Sequence, residues 1–299
     1  MNGAQWLVES LRRRGVERVF ALCGNGLKPF LDACVDLDMP IVDVRNEQSA
    51  AFMADVWARM TGRLGVVAVS AGPGHTNALT GVANAYWDGA PVLLISASAE
   101  AATLGLGQFQ ELDQVRMAAP VCKIARRVDR VERLEHEVDQ AVAATISGRP
   151  GPAHLTLPAD VLSAPMPTQA VDALRGAGPP TARVHQRAPA DAPLVRDAVK
   201  ALAEAERPLM IVGNGAAYAD AGDELRAFAA RTHVPVLSNM WSRGCVDTRW
   251  DEYVGTTFGG GTNGAYEALA VADVLLVVGV TLDHRVGFAR PPAVAESVT

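Results

Sequence analysis

Cysteine is scarce in this 299-residue chain: Cys23, Cys34, Cys122 and Cys245 are its four, and no two form a C-x-x-C pair. That spacing excludes a disulfide framework and a zinc site built on paired thiols, and it predicts reduced side chains in a cytosolic protein. Long apolar runs are missing too. Val274 to Val280 and Ala90 to Ile95 are strand-sized, too short to cross a bilayer. Glu9 and the run Arg12, Arg13, Arg14 come too early to leave room for the apolar core of an export signal, so the expected location is the cytoplasm. Positive charge is not in excess, since 27 Lys+Arg against 33 Asp+Glu give a formal net charge of −6. This excludes nucleic acid or an anionic membrane as the main partner. His75, His154, His233 and His284 stand far apart with no metal-ligand spacing, so no metal ligand is assigned to this chain. What remains is the balance of a soluble globular protein, 49% hydrophobic and 20% charged, with length enough for two domains.

Up to about residue 165, short apolar runs alternate with amphipathic stretches. Strands are predicted at 18–22, 41–44, 65–70 and 91–96, and helices at 27–37, 48–60 and 76–86. In the second helix Ala50, Met53, Ala54, Trp57 and Met60 recur at the three-to-four spacing of one buried face. Such alternation predicts an α/β fold, a doubly wound parallel sheet with helices on both faces. From 166 to 193 the composition shifts to Pro, Ala, Gly and Arg without a period, which predicts a linker. A second α/β block, 194–299, follows: helix 194–206, strand 209–212, helix 220–231, strand 234–237 and strand 274–280.

Three segments carry chemistry. Glu47, in Val44-Arg45-Asn46-Glu47-Gln48, sits where a strand turns into a helix, and ligands bind at the carboxyl ends of parallel strands. An acidic residue in a first helical turn also serves the helix dipole, so the position alone does not make Glu47 catalytic. Ser70-Ala71-Gly72-Pro73-Gly74-His75-Thr76-Asn77 repeats that strand-to-helix placement, with glycines that let backbone approach a flat ligand or make an ordinary turn. It is neither a P-loop nor a dinucleotide fingerprint, and Gly213-Asn214-Gly215 lacks the third glycine too. Gly107 to Asp113 is a polar loop displaying Phe109, which could equally be a solvated connection.

Taken in order, these pieces resemble one family. Arg45-Asn46-Glu47-Gln48 is similar to its Arg-His-Glu-Gln motif and Ser70 to Asn77 to its Ser-Gly-Pro-Gly-x-Thr-Asn loop. Ala85-Tyr86-Trp87-Asp88 with Pro91, Gln108-Phe109-Gln110-Glu111, and Arg149-Pro150-Gly151-Pro152 through Pro158-Ala159-Asp160-Val161 match as well. Together they resemble the pyrimidine-binding (PYR) domain of thiamine-diphosphate (ThDP) enzymes of the acetolactate synthase and 2-keto-acid decarboxylase type. Arg207-Pro208 through Gly213-Asn214-Gly215 and Ala272-Asp273 through Gly279 resemble that family's central domain. The resemblance implies that Glu47 hydrogen-bonds N1′ of the aminopyrimidine, so that the 4′-nitrogen can take a proton from the thiazolium. It implies that Gly72, Pro73, Gly74 and Asn77 line the pyrimidine and that Gly24, Asn25, Phe109 and Gln110 face the substrate. The implied reaction decarboxylates a 2-keto acid, then joins the remaining fragment to a second carbonyl compound or releases it as an aldehyde.

The chain departs from the family at three places. Asn46 replaces the histidine beside the glutamate, which bears on substrate polarity. Cys23-Gly24-Asn25-Gly26 differs from the Pro-Gly-Gly turn of acetolactate synthases, so acetolactate is not fixed as the product. The Gly-Asp-Gly and Asn-Asn pair with which the family holds Mg²⁺ and the diphosphate is absent: Gly222-Asp223 is followed by Glu224. The resemblance therefore implies a separate PP-domain subunit supplying Mg²⁺ and diphosphate sites, in a heterotetramer around a PYR–PYR core, with the central domain incomplete at its C-terminus. A piece of a longer chain would read the same. FAD against the central domain is left open, as is a non-catalytic regulatory or scaffolding subunit of the same fold.

Overall fold

A computed structural model describes residues 1–176, 190–240, 244–257, 263–296 and 298. The chain divides into two compact units, Met1–His185 and Gln186–Thr299. The first contains α1 (Gly3–Arg13), β1 (Val19–Ala21), α2 (Lys28–Asp36), β2 (Ile41–Asp43), α3 (Glu47–Thr61), β3 (Gly65–Val69), α4 (Pro73–Asp88) and β4 (Val92–Ser98). It continues with α5 (Gln114–Ala118), β5 (Ile124–Arg127), α6 (Leu134–Ile146), β6 (Ala153–Pro158), α7 (Ala159–Ser163) and α8 (Thr168–Gly176). Its six strands form one parallel sheet in the order β2-β1-β3-β4-β6-β5.

Successive side chains on a strand point to opposite faces, and the continuous apolar runs of β3 and β4 feed two cores. Val66, Ala68, Leu93 and Ile95 join the core that also holds Trp6, Leu7 and Leu11 of α1 and Leu134 and Val138 of α6. Val67, Val69, Val92 and Leu94 join the other, with Ala50, Ala54 and Ala58 of α3 and Ala78, Val82 and Ala85 of α4. Each fully buried Leu or Ile contributes roughly 1.5–3 kcal/mol, so both sheet faces are strongly committed. This is the doubly wound α/β architecture expected from the alternation.

The predicted linker is corrected at its start. Residues 168–176 form α8, whose Val171 and Leu174 are buried in the first core, and Trp6 Nε1 donates to Ala170 O at 3.3 Å. The i, i+3 pair was concealed by flanking small and polar residues. The rest of the predicted linker up to 189 lies outside the described residues. Helix α1 was not anticipated either, although Asn2 and Gln5 cap it reciprocally, at 2.8 Å and 3.1 Å, a capping box built on amides.

The second unit holds α9 (Ala192–Glu204), β7 (Pro208–Val212), α10 (Asn214–Tyr218), α11 (Gly222–Thr232), β8 (Val236–Asn239), β9 (Tyr253–Thr257), α12 (Asn263–Val271) and β10 (Val274–Val278). Its parallel sheet has the order β10-β7-β8-β9. The strand predicted at 234–237 lies two residues further on, and β9 was missed because Gly255 interrupts its apolar pattern. Leu194, Val195 and Val199 of α9 are exposed. Among the described residues no helix is long and apolar enough to cross a membrane.

Because α8 is part of the first core, Leu174→Asp should lower its stability by about 2–5 kcal/mol. Urea denaturation followed by tryptophan fluorescence would read this through Trp6. An unchanged midpoint would restore the linker assignment.

Candidate active site

Strand order reverses between β1 and β3: β2 lies outside β1, and β3, β4, β6 and β5 follow on the other side. Ligands bind at such switch points, outside the carboxyl ends of the strands. Three connections meet here. The one after β1 carries Gly24 and Asn25, the one after β2 leads to Glu47, and the one after β3 is the Ser70–Gly74 turn.

Crowding ties them together. A Cβ on Gly24 would lie 2.5 Å from Ser70 Cβ, and one on Gly74 would collide with Ser70 Oγ and come within 3.1 Å of Glu47 Oε1. Ala71 N donates to Asn25 O at 3.2 Å, and Asn25 Nδ2 donates to Phe109 O at 3.1 Å. Gly72 adopts φ +61°, a conformation that disfavours any side chain, and a Cβ there would sit 2.6 Å from Gln110 O. The residues expected on the pyrimidine and substrate sides are thus neighbours in space.

Glu47 is the first residue of α3 and is buried, 8% exposed. Asn46, the departure from the family motif, is the helix N-cap and its side chain accepts from Gln48 N at 2.8 Å. Asn77 Nδ2 donates to Glu47 Oε2 at 2.9 Å, which makes Asn77 a tether for the carboxylate as well as a neighbour of the turn. The two helices are joined again further along. Asp55, fully buried, accepts from Arg59 and Asn84 at 2.8 Å each, and Arg59 also pairs with Asp88 at 3.4 Å. Gly81 admits the close approach, since a Cβ there would lie 2.6 Å from Ala51 Cβ. Glu47 therefore stands on a helix clamped at both ends.

Phe109 is exposed and Gln110 half-buried. Glu111 folds their loop, accepting from Gly105 N at 2.7 Å and Gln108 N at 3.1 Å. Gln110 adopts φ +63°, and its buried Oε1 has no hydrogen-bond partner. A strained residue with an orphaned amide oxygen beside a side-chain-free turn and a buried carboxylate suits a flat ligand carrying hydrogen-bond donors. An aminopyrimidine fits that description.

The sequence reading missed the layer beneath the turn. His75 and His154, remote in sequence, lie against each other with ring centroids 4.7 Å apart and planes tilted by 49°. His75 Nδ1 pairs with Ser96 Oγ at 2.8 Å and His154 Nε2 with Thr156 Oγ1 at 3.2 Å. Among the described residues no group of three or more His, Cys, Asp or Glu is placed to hold a metal ion. Burial pushes His75 down to about 4, against an opposing contribution from the Gln114 main chain. Burial, with His75 beside it, takes His154 well below its ordinary value. Both rings are neutral at pH 7, whereas in the unfolded chain they titrate near 6.5.

Because the unfolded chain binds the extra protons, stability is fully present above about pH 6.5 and is lost as pH falls toward 4. The expected loss is roughly 1.4 kcal/mol per pH unit for each histidine. Denaturation curves at several pH values would read it, and His154→Phe should remove about half of the slope. A wild-type slope no steeper than that of the variant would count against the neutral pair.

The chain is similar to known proteins along both units. Residues 1–117 match the family described as thiamine pyrophosphate enzyme, N-terminal TPP binding domain, and residues 195–297 match the thiamine pyrophosphate enzyme central domain. The probable acetolactate synthase large subunit of Methanocaldococcus jannaschii is 33% identical over 96% of this chain and 48% of its own length. Acetolactate synthase isozyme 2 large subunit of Escherichia coli is 34% identical over 96% of this chain and 50% of its own. The 2-hydroxyacyl-CoA lyase 1 of Dictyostelium discoideum is 31% identical over 100% and 50%. The chain spans about half the length of these curated relatives. The chain belongs to the thiamine pyrophosphate enzyme family, of which it carries the N-terminal TPP-binding domain, with Glu47 near the switch point of its six-stranded parallel sheet, and the central domain.

Proposed function

We propose that this chain is the PYR-domain component of a ThDP-dependent enzyme that decarboxylates a 2-keto acid and either joins the remaining fragment to a second carbonyl compound or releases it as an aldehyde. The observation that carries the reading is the buried Glu47 carboxyl, with Oε2 held by Asn77 and Oε1 beside the side-chain-free Gly74. ThDP, when bound, supplies the electron sink for decarboxylation. The residues of this chain hold and orient the pyrimidine and the substrate. Glu47 holds a proton at the ring nitrogen of the pyrimidine. Gly72, Pro73 and Gly74 let the backbone lie against the ring without side chains between. Gln110 Oε1, buried and without a partner, would accept from a donor on the substrate, which Phe109, Gly24 and Asn25 would also face.

The diphosphate and Mg²⁺ need acidic and amide ligands, and no described cluster of this chain offers a metal site. We assign them to a PP domain on a partner polypeptide or on a continuation of the same chain. Exposed apolar residues support such a partner: Met53 and Met60, expected on the buried face of α3, instead stand exposed in a stripe with Val56, and Trp87 stands at the end of α4. Contiguous apolar surface of this kind is typical of protein contacts.

Two measurements test the reading. Calorimetric titration of ThDP with Mg²⁺ should give heat with the chain combined with a PP-domain polypeptide and none with the chain alone. Absence of binding in both would favour a non-catalytic subunit. Glu47→Gln should lower turnover of the assembled enzyme by about 10²–10⁴-fold and leave assembly intact; a near-normal rate would remove Glu47 from the proton transfer.

A further inference from the structure

The Gly72 N–H opens helix α4 and has no partner within it, as expected of a helix N-terminus. It is satisfied from another element: it donates to Gln114 Oε1 at 2.9 Å, and this contact is buried. Gln114 begins α5 and is 2% exposed. Its amide nitrogen donates to Ala97 O at 3.0 Å on β4 and to Thr156 Oγ1 at 3.3 Å on β6. One side chain thus spans two neighbouring strands and the turn after a third. Asp113 caps α5 by accepting from Arg116 N at 3.1 Å, and Ala118 anchors the helix in the core.

The turn that Gln114 holds also packs against the loop on the substrate side. Gln110 lies four residues before Gln114, and its carbonyl occupies the space a Gly72 side chain would need. The turn is also pinned from below, where His75 in the first turn of α4 reaches Ser96. Thr156 Oγ1, which accepts from Gln114, is shared with His154. A buried amide with both its oxygen and its nitrogen engaged is costly to disturb, because removal strands its partners without water.

We propose that Gln114 is a positioning residue that fixes the Gly72–Gly74 turn and the Phe109–Gln110 segment against each other. On the reading given under Proposed function, these are the pyrimidine and substrate sides of one site, so Gln114 sets their separation without touching either ligand. Its effect reaches them through the Gly72 amide.

The test is residue-resolved amide exchange by NMR on this chain, with no cofactor needed. Gln114→Met keeps the length and removes both hydrogen-bonding groups. The Gly72 amide should then exchange on the order of tenfold faster, while the amides of Val67 and Leu94 in the sheet stay within about twofold of wild type. Equal acceleration at all three sites, or none at Gly72, would overturn the assignment. Should Gln114→Met not fold, Thr156→Val withdraws one acceptor from the Gln114 amide. It should accelerate Gly72 selectively by about threefold, and a uniform or absent change overturns the proposal equally. ThDP binding is read separately, so failure of the cofactor reading leaves the exchange result standing.

Discussion

Parallel strands covered on both faces leave only their ends for chemistry, and at the carboxyl ends of β1 and β3 the backbone is packed to the limit around Ser70. Gly24 presses on its Cβ and Gly74 on its hydroxyl, with the Glu47 carboxylate alongside. This contact converts three separate loops into one surface. Any side chain at Gly24 or Gly74 would push the loop after β1 away from the turn after β3, and the alignment of Glu47 with that turn would go with it. The glycines are therefore fixed by crowding at least as much as by any ligand.

Rigidity around that contact comes from polar groups placed where water cannot reach. Glu47 and Asn77 join α3 to α4 at the site, and Asp55, Arg59, Asn84 and Asp88 join them further along. Beneath the turn, Gln114, Thr156, Ser96 and two neutral histidines form a second layer. Buried polar groups of this kind specify one arrangement, because each alternative packing leaves donors or acceptors unpaired. The Phe109 loop is held differently. Its apolar side chains face outward, and its backbone is tied by Glu111 at Gly105 and Gln108 and by Asn25 at the Phe109 carbonyl.

The two units place their switch points in different states. In the first, the ends of β1 and β3 bring the buried Glu47 carboxyl beside a glycine turn packed against Ser70 and Gln110. In the second, Gly213 after β7 meets Gly279 after β10 so closely that a Cβ on Gly213 would lie 2.6 Å from Gly279 O. Glycines crowd the strand ends in both units, and the first adds a buried carboxyl, Glu47, beside them.

The sequence by itself determined the α/β class, the strands and helices from 18 to 96, and the site motifs around Glu47, Ser70–Asn77 and Phe109. These are local features: period, turn chemistry and the type of residue at a strand end are all written along the chain. It also left Glu47 compatible with a residue that serves the helix dipole, and the Gly-Pro-Gly segment compatible with an ordinary turn. Only the tertiary structure decided that Asn77 tethers Glu47, that His75 and His154 touch, and that Gln114 receives the Gly72 N–H. These pairs join residues 30, 79 and 42 positions apart, as the numbering itself shows, and no pattern along one strand or helix encodes which distant end will lie beside it. Helix α8 was hidden for a related reason. Two apolar residues among small and polar ones gain a meaning only when a core that includes Trp6 is there to receive them.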